Sequence, residues 1–458
     1  MDSLTPQLST RLIGQSAQGR DLTVMLFSDG VFGSDRHKLK VLIFAQQHGN
    51  EQSGKEGVLR AAKWLADSAN VQILKSLDIA LVPQLNPDGS EVNQRRNGRQ
   101  ADLNRNHLVL TEPETQAIHR LFDEFGFHLT LDVHEYYPYG EEWKKTGYRR
   151  NTDVALGSCT HPDVDLALRE FSNQKVLPFL MDRLRQFGFK SFVYCPGGPS
   201  GEDYFRHSTF DINDGRQSFG IQQTLSFIQE GMNGEDLFEE NMEFRAQGQF
   251  RGIQSLLLFA CQNADEILQA VTQARQKMLE PASGRKLTLQ AEHQHNNQEL
   301  HLPLFSYRTG HDTLVVVNDY RPVVKATAIT NLPEGYLIPV ENKALLDWAE
   351  RQQLLHTPLP QDAAAWCEQY FVAKVDSIDF EGDMVIDPQI ETYKVKQKIE
   401  GDDYVFFPVS QPKGLLIAIS LEPQSMLGLA TYESYRDLVE VGQFYPILRF
   451  VKPSPKKP

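Results

Sequence analysis

The sequence predicts an α/β fold over residues 1–285, followed by a smaller β-rich domain over residues 286–458. Three observations predict it. Four short apolar runs in the first half (40–46, 77–84, 128–133 and 224–228) read as buried strands. Helical periodicity fills the stretches between them, and strands alternating with helices give a layered α/β architecture. After Glu280 the alternation stops, and short strand-like runs separated by turn residues take its place.

The elements follow in order. Ser53 is placed to cap a helix over 54–69, with Glu56 in capping-box position. The stretch 111–125 alternates apolar and charged residues at helical spacing. Two longer amphipathic segments cover 164–187 and 249–279. The stretch 281–285 and the polar run 292–297 read as a linker. Beyond them strands are expected at 313–317, 335–339, 404–408 and 415–419, interrupted by one helix over 343–352.

Composition excludes several classes of function. Asp and Glu number 60 against 46 Lys and Arg, a formal charge of -14 that repels phosphate backbones and argues against a nucleic-acid partner. The basic tail from Lys452 to Lys457 reads as a solvated end. No apolar run approaches about 20 residues, so no membrane span is expected. The first fifteen residues lack the basic start and apolar stretch of a signal peptide. A cytoplasmic protein is expected, or a periplasmic or secreted one if a leader has been removed. Cysteines at 159, 195, 261 and 367 have no CxxC spacing, so free buried thiols are expected rather than disulfides or a Cys-based zinc site.

In open α/β sheets, ligands sit beyond the carboxyl ends of the strands. Each of the four runs ends in reactive residues. The first ends in His48-Gly49-Asn50-Glu51. The second ends in Asn86-Pro87-Asp88-Gly89 and leads to Asp102-Leu103-Asn104-Arg105-Asn106. The third ends in His134-Glu135, and the fourth in Gln229-Glu230-Gly231. HxxE alone is weak, because about one is expected by chance in a chain this rich in histidine. His134 at the end of another strand changes that. Two His and one Glu make three protein ligands and leave a fourth position for water, the pattern of catalytic zinc.

The order strand-HxxE, NPDG, DLNRN, strand-His, strand-Glu resembles the M14 family of zinc carboxypeptidases over about the first 285 residues. The opening Ser16-Ala17-Gln18-Gly19-Arg20 is similar to that family's SxxGR start. The resemblance implies a mixed, mostly parallel sheet flanked by helices, one Zn2+ per chain, and a peptide substrate with a free C-terminal carboxylate. It implies His48, Glu51 and His134 as zinc ligands and Glu230 as general base and acid. Arg96, preferred slightly over Arg95, would stabilise the oxyanion. Asn104 and Arg105 would bind the terminal carboxylate, and Asp102 would orient His48. Asp132, on the face of His134, rivals Asp102 for such a role. Arg216 lies in the region from which the family builds its specificity pocket, where it would meet a polar or acidic side chain or form a structural salt bridge. The second half, with Arg321-Pro322 and Leu421-Glu422-Pro423, resembles the extra domain of bacterial M14-like proteins and is expected to contribute no catalytic group.

The sequence also departs from the digestive-type pattern. Glu135 stands where Ser is usual, as a solvated strand end or a charge repelling acidic substrates, and His107 stands where an aromatic is usual. Tyr194 and Tyr204 both fall in the interval of the family's substrate-covering Tyr without a motif to choose between them. The Gly/Pro-rich stretch 196–201 is a turn-rich loop without the GK[ST] of a phosphate loop. Two other functions are compatible with parts of the pattern. One is a zinc amide deacylase of the succinylglutamate desuccinylase and aspartoacylase type, which intact NPDG and DLNRN disfavour. The other is a degenerate binding module, which the complete set of ligands and Glu230 disfavours.

Overall fold

The computed structural model of the chain describes residues 5–199, 201, 203–359, 366–395, 399–400 and 402–451. The basic tail and Ser200 of the turn-rich loop lie outside the described residues. Eight strands form one sheet in the order Leu8–Gln15, Asp21–Phe27, Leu77–Val82, Leu39–Ala45, Leu129–Tyr136, Leu225–Met232, Val154–Ser158, Ser191–Val193. The central pairings are parallel: Leu39–Ala45 with both Leu77–Val82 and Leu129–Tyr136, and Leu129–Tyr136 with Leu225–Met232. The first two strands and the pairing of Leu225–Met232 with Val154–Ser158 are antiparallel. The sheet is therefore mixed and mostly parallel, as expected.

Central strands read as unbroken apolar runs because both faces are covered. Val41, Ile43 and Ala45 pack with Val58, Leu65, Ile253 and Leu257, from helices Gln52–Ala66 and Met242–Gln262. Leu42 and Phe44, pointing the other way by strand alternation, pack with Ile118, Phe122 and Phe219. Helix Gln52–Ala66 starts before Ser53 rather than after it. Glu51 occupies the N-cap, and the Ser53 amide is taken by the Glu135 carboxylate, so no capping box forms. The segment expected to be one helix over 164–187 is interrupted by a π-turn at Ser172–Val176.

The second half is tied to the first rather than hung from a linker. Residues 292–294 of the expected linker belong to strand Lys286–Gln294. The same apolar cluster that holds Val41 and Ile253 continues through Met278, Leu287, Tyr336, Trp348 and Leu416. Trp348 Nε1 and Gln352 Nε2 donate to the Leu108 carbonyl, and Lys413 Nζ pairs with Asp123 at 2.6 Å. Strand Leu300–Ser306 pairs with Tyr148–Arg150, and Tyr320–Arg321 with Phe205–Arg206.

A five-stranded antiparallel sheet, including the long hairpin Cys367–Phe380/Asp383–Lys394, accounts for the β-rich composition. One expected strand is wrong: 415–419 lies in helix Gly414–Leu421, buried at every position. An apolar run enclosed on all sides shows neither the period of a strand nor that of a helix. Glu422 follows it as a buried anchor, accepting from Arg449 Nε, Tyr336 Oη and Tyr370 Oη.

Candidate metal centre and active-site cleft

His48 sits on the turn after strand Leu39–Ala45, where the chain passes against a single helical turn, Pro87–Glu91. Gly49 is needed at this crossing because a Cβ would meet Gly89 and Ser90 backbone at 2.1 and 2.3 Å. Asn86 ties the two turns together. Its Oδ1 accepts from Gly89 N, and its Nδ2 donates to the carbonyls of Gln47 and Arg95. Asp88 accepts from Ser16 Oγ, Gln18 N and Arg20 Nη1, so the SxxGR and NPDG motifs are two sides of one hydrogen-bonded support.

His134 lies in strand Leu129–Tyr136, and Glu230 is its direct partner on the adjacent parallel strand. His48 Nδ1 is 2.6 Å from Glu51 Oε1 and 3.2 Å from His134 Nδ1, which is 2.9 Å from Glu51 Oε2. Zinc bonds of about 2.0–2.1 Å in tetrahedral geometry put ligand atoms about 3.3 Å apart. The three side chains fit that ion. Among the described residues they are the one group of His, Cys, Asp and Glu whose ligand atoms all lie within 4.8 Å of one another.

The outer nitrogens of both histidines face carboxylates: His48 Nε2 is 3.1 Å from Asp102 Oδ1, and His134 Nε2 is 2.8 Å from Asp132 Oδ1. The expected rivals therefore lie beside different histidines, Asp102 at His48 and Asp132 at His134. Burial opposes ionisation of Glu51, but the His48 and His134 imidazoles outweigh it and hold the carboxyl well below the usual range. Burial also disfavours a charged His134, yet Asp132 and Glu51 raise it well above an ordinary histidine. Burial dominates at Glu230 and pushes it up to about 7.

These residues line a cleft of about 400 Å3 together with Arg95, Asn104, Arg105, Arg150, Tyr194, Thr209, Asp214 and Arg216. The arginine that faces the metal trio is Arg95, not the preferred Arg96. Arg95 Nη1 is 3.2 Å from His48 Nδ1 and 3.8 Å from Glu51 Oε1, and Arg95 Nη2 is 2.9 Å from Asp102 Oδ2. Arg96 turns away and donates to the Gln100 carbonyl. The reversal comes from the backbone: the Arg95 carbonyl is engaged by Gly49 N and Asn86 Nδ2, which pins that residue against the site.

Asn104 Oδ1 accepts from Gly215 N and Gln47 Nε2, which leaves its amide nitrogen as the donor it can offer to the cleft. Arg105 lies beside it. Glu135 is neither a solvated end nor a free repelling charge: it is buried and accepts from Arg245 Nε and Nη2. His107 bridges Gln47 Oε1 and His119 Nε2 at 2.8 and 2.9 Å. Tyr194 lines the cleft, whereas Tyr204 borders a separate cavity with Arg321. Sequence reading missed Gln47, whose Nε2 joins Asp132 Oδ2 to Asn104 Oδ1. It also missed Arg150, on the strand that pairs with the second half. No motif marks either residue. Among the described residues, every one that lines the cleft precedes Phe238 in the chain.

Residues 1–163 match the family model described as zinc carboxypeptidase, Peptidase_M14. Carboxypeptidase 2 of Trichophyton equinum is 24% identical over 455 residues, covering 95% of this chain and 81% of that protein. The carboxypeptidase N catalytic chain of Homo sapiens is 30% identical over 276 residues, covering 47% of this chain and 55% of that protein. Among solved structures, a metallo-carboxypeptidase from Pseudomonas aeruginosa in complex with (2-guanidinoethylmercapto)succinic acid aligns with a TM-score of 0.42 at 23% identity. That alignment covers 57% of this chain and 64% of the other.

Proposed function

We propose that this chain is a metallopeptidase of the zinc carboxypeptidase (M14) family and that it hydrolyses the C-terminal peptide bond of peptides with Glu230 as its proton carrier. One observation carries this reading. The His48, Glu51 and His134 ligand atoms converge within bonding geometry for a single ion, with Glu230 on the neighbouring strand and Arg105 in the same cleft. Zinc bound there supplies a Lewis acid that brings the ionisation of water toward neutral pH.

The chain's own groups do the rest. Glu230, poised near neutrality by burial, takes the proton of the attacking water and returns it to the leaving amine. Arg95 faces the side on which the scissile carbonyl oxygen gathers charge, and a guanidinium there stabilises it. Arg105 and Asn104 hold the terminal carboxylate, and a planar guanidinium suits that group. Asp102 and Asp132 keep both imidazoles in one orientation.

The reading is tested by following one peptide in two forms, with a free and an amidated C-terminus, by mass spectrometry. Shortening of the free form by single C-terminal residues, with the amide left intact, is expected. Equal cleavage of both, or release of an acyl group from N-acyl amino acids in place of peptide shortening, overturns it.

A further inference from the structure

We propose that Gln47 is a positioning residue that holds two arms of the cleft with one amide: Asn104, which meets the substrate's terminal carboxylate, and Asp132, which lies beside the metal ligand His134. The first arm rests on the carboxypeptidase reading above. Gln47 immediately precedes His48 and is fully buried. Its Nε2 lies 2.8 Å from Asp132 Oδ2 and 3.2 Å from Asn104 Oδ1. The same nitrogen is 3.4 Å from His134 Nε2. Both oxygens are acceptors for reasons that do not involve Gln47. A carboxylate oxygen accepts. Asn104 shows its oxygen here because Gly215 N donates to it at 2.9 Å. Two acceptors that converge on one point require a donor with two hydrogens, and a primary amide nitrogen supplies them.

The other end of the amide is locked from behind. Gln47 Oε1 is 2.8 Å from His107 Nε2, so that nitrogen carries its proton. Burial pushes His107 down to about 4, so the ring is neutral near pH 7 and its Nδ1 accepts. His119 Nε2, 2.9 Å away, is the donor to it. The hydrogen bonds thus run in one direction, from His119 through His107 to Gln47 and on to Asp132 and Asn104. Both imidazoles lie against Phe219 in an otherwise apolar layer, where a phenylalanine would pack with no polar group to satisfy. What the polar line holds in place accounts for its presence. The backbone of His107 is fixed in turn: its N–H donates to the Asn213 carbonyl, and its own carbonyl accepts from Gln352 Nε2 at 3.2 Å. Gln352 belongs to the second half, which therefore reaches the cleft through His107 without lining it.

Without the Gln47 nitrogen, Asn104 keeps one of its two donors, and its amide gains freedom to turn an oxygen toward the incoming carboxylate. Asp132 loses the hydrogen bond on Oδ2, and its other oxygen, Oδ1, is the one that faces His134. Both arms are therefore expected to weaken together.

The test uses Gln47→Met, which keeps the length of the side chain and removes both hydrogens. Zinc affinity is read by competition between the metal-stripped protein and a fluorescent chelator. Steady-state rates at saturating zinc are read on the best-cleaved of a set of peptides ending in Leu, Phe, Lys and Glu. Loss of support behind a metal ligand is expected to weaken zinc binding about 10-fold. Loss of the hydrogen bond that orients Asn104 is expected to raise KM about 10-fold. At the same time kcat is expected to stay within about threefold, which a general disturbance of the site would not spare. His107→Phe releases the lock and is expected to shift zinc affinity and KM the same way, by about threefold or more. His107→Gln, whose Nε2 can still donate to Gln47 Oε1, is expected to return both to within about twofold of the parent. Should Gln47→Met fail to fold, the two His107 variants decide. A loss confined to zinc affinity or to KM overturns the two-armed role. So does a loss of kcat with both intact, or a His107→Gln variant no better than His107→Phe. Absence of C-terminal release from every peptide by the parent protein overturns the carboxypeptidase reading instead, and the first arm with it.

Discussion

Arg95 and Arg96 are adjacent in the chain and chemically identical, yet the structure gives them opposite surroundings, and exchanging each for Gln separates them. Arg95 Nη1 lies 3.8 Å from Glu51 Oε1, and its Nη2 is braced by Asp102 at 2.9 Å. Removing one preorganised donor to a developing oxyanion costs about 10²–10³ in kcat. The Arg95 side chain is 46% exposed, so solvent shares its field and the lower end applies. Arg95→Gln is therefore expected to lower kcat about 100-fold, which is ~2.7 kcal/mol of transition-state stabilisation. Arg96 reaches the Gln100 carbonyl alone, and Arg96→Gln is expected to stay within about twofold of the parent, as surface substitutions do. The assay is initial rates on one peptide, with zinc content measured in parallel so that metal loss is not mistaken for lost catalysis. A 100-fold loss in the Arg96 variant with an active Arg95 variant would refute the assignment.

The other expectations concern the metal, the proton carrier and acid stability. His134→Ala removes one of three ligands and should release zinc by elemental analysis, with activity lost; full zinc occupancy contradicts the ligand set. Glu230→Gln should retain zinc and substrate affinity while kcat falls, because an amide cannot accept the proton; a change confined to KM would instead make Glu230 a binding residue. Burial pushes His107 down to about 4 and His128 down to about 3, the latter with Arg275 and Lys40 adding to the effect. Unfolded, each takes up its proton near pH 6.5. Their contribution to stability is thus complete above about pH 6.5 and is lost as pH falls toward 4, by up to ~1.4 kcal/mol per pH unit for each. Urea unfolding at pH 7 and pH 5 reads this. His128→Gln, whose side-chain oxygen can still accept from Lys40 N as His128 Nδ1 does at 3.0 Å, should flatten the decline. An unchanged decline argues against His128 as a source.

The sheet of the first half was legible because buried parallel strands and amphipathic helices write distinct patterns, and because each strand end carried its reactive residue. The trio His48, Glu51 and His134 could be read from strand ends alone. Arg95 could not, since choosing it over Arg96 depends on which carbonyl the Asn86 side chain holds. Glu135 was misread because its partner, Arg245, stands 110 residues away in a helix with no motif. Helix Gly414–Leu421 was hidden by being apolar on every side. The joining of the two halves was also invisible. It rests on three-residue and two-residue strand pairings and on single hydrogen bonds such as Trp348 to Leu108, which leave no trace in local pattern.

The central claim is that one zinc ion, held by His48, Glu51 and His134, makes this chain a carboxypeptidase. Its most direct test is to strip the protein of metal and titrate zinc back while measuring release of the C-terminal residue from a peptide. The account predicts no release from the stripped protein, a linear rise with added zinc, and a plateau at one zinc per chain. Full activity without metal, or a rise that continues to a higher stoichiometry, would contradict it.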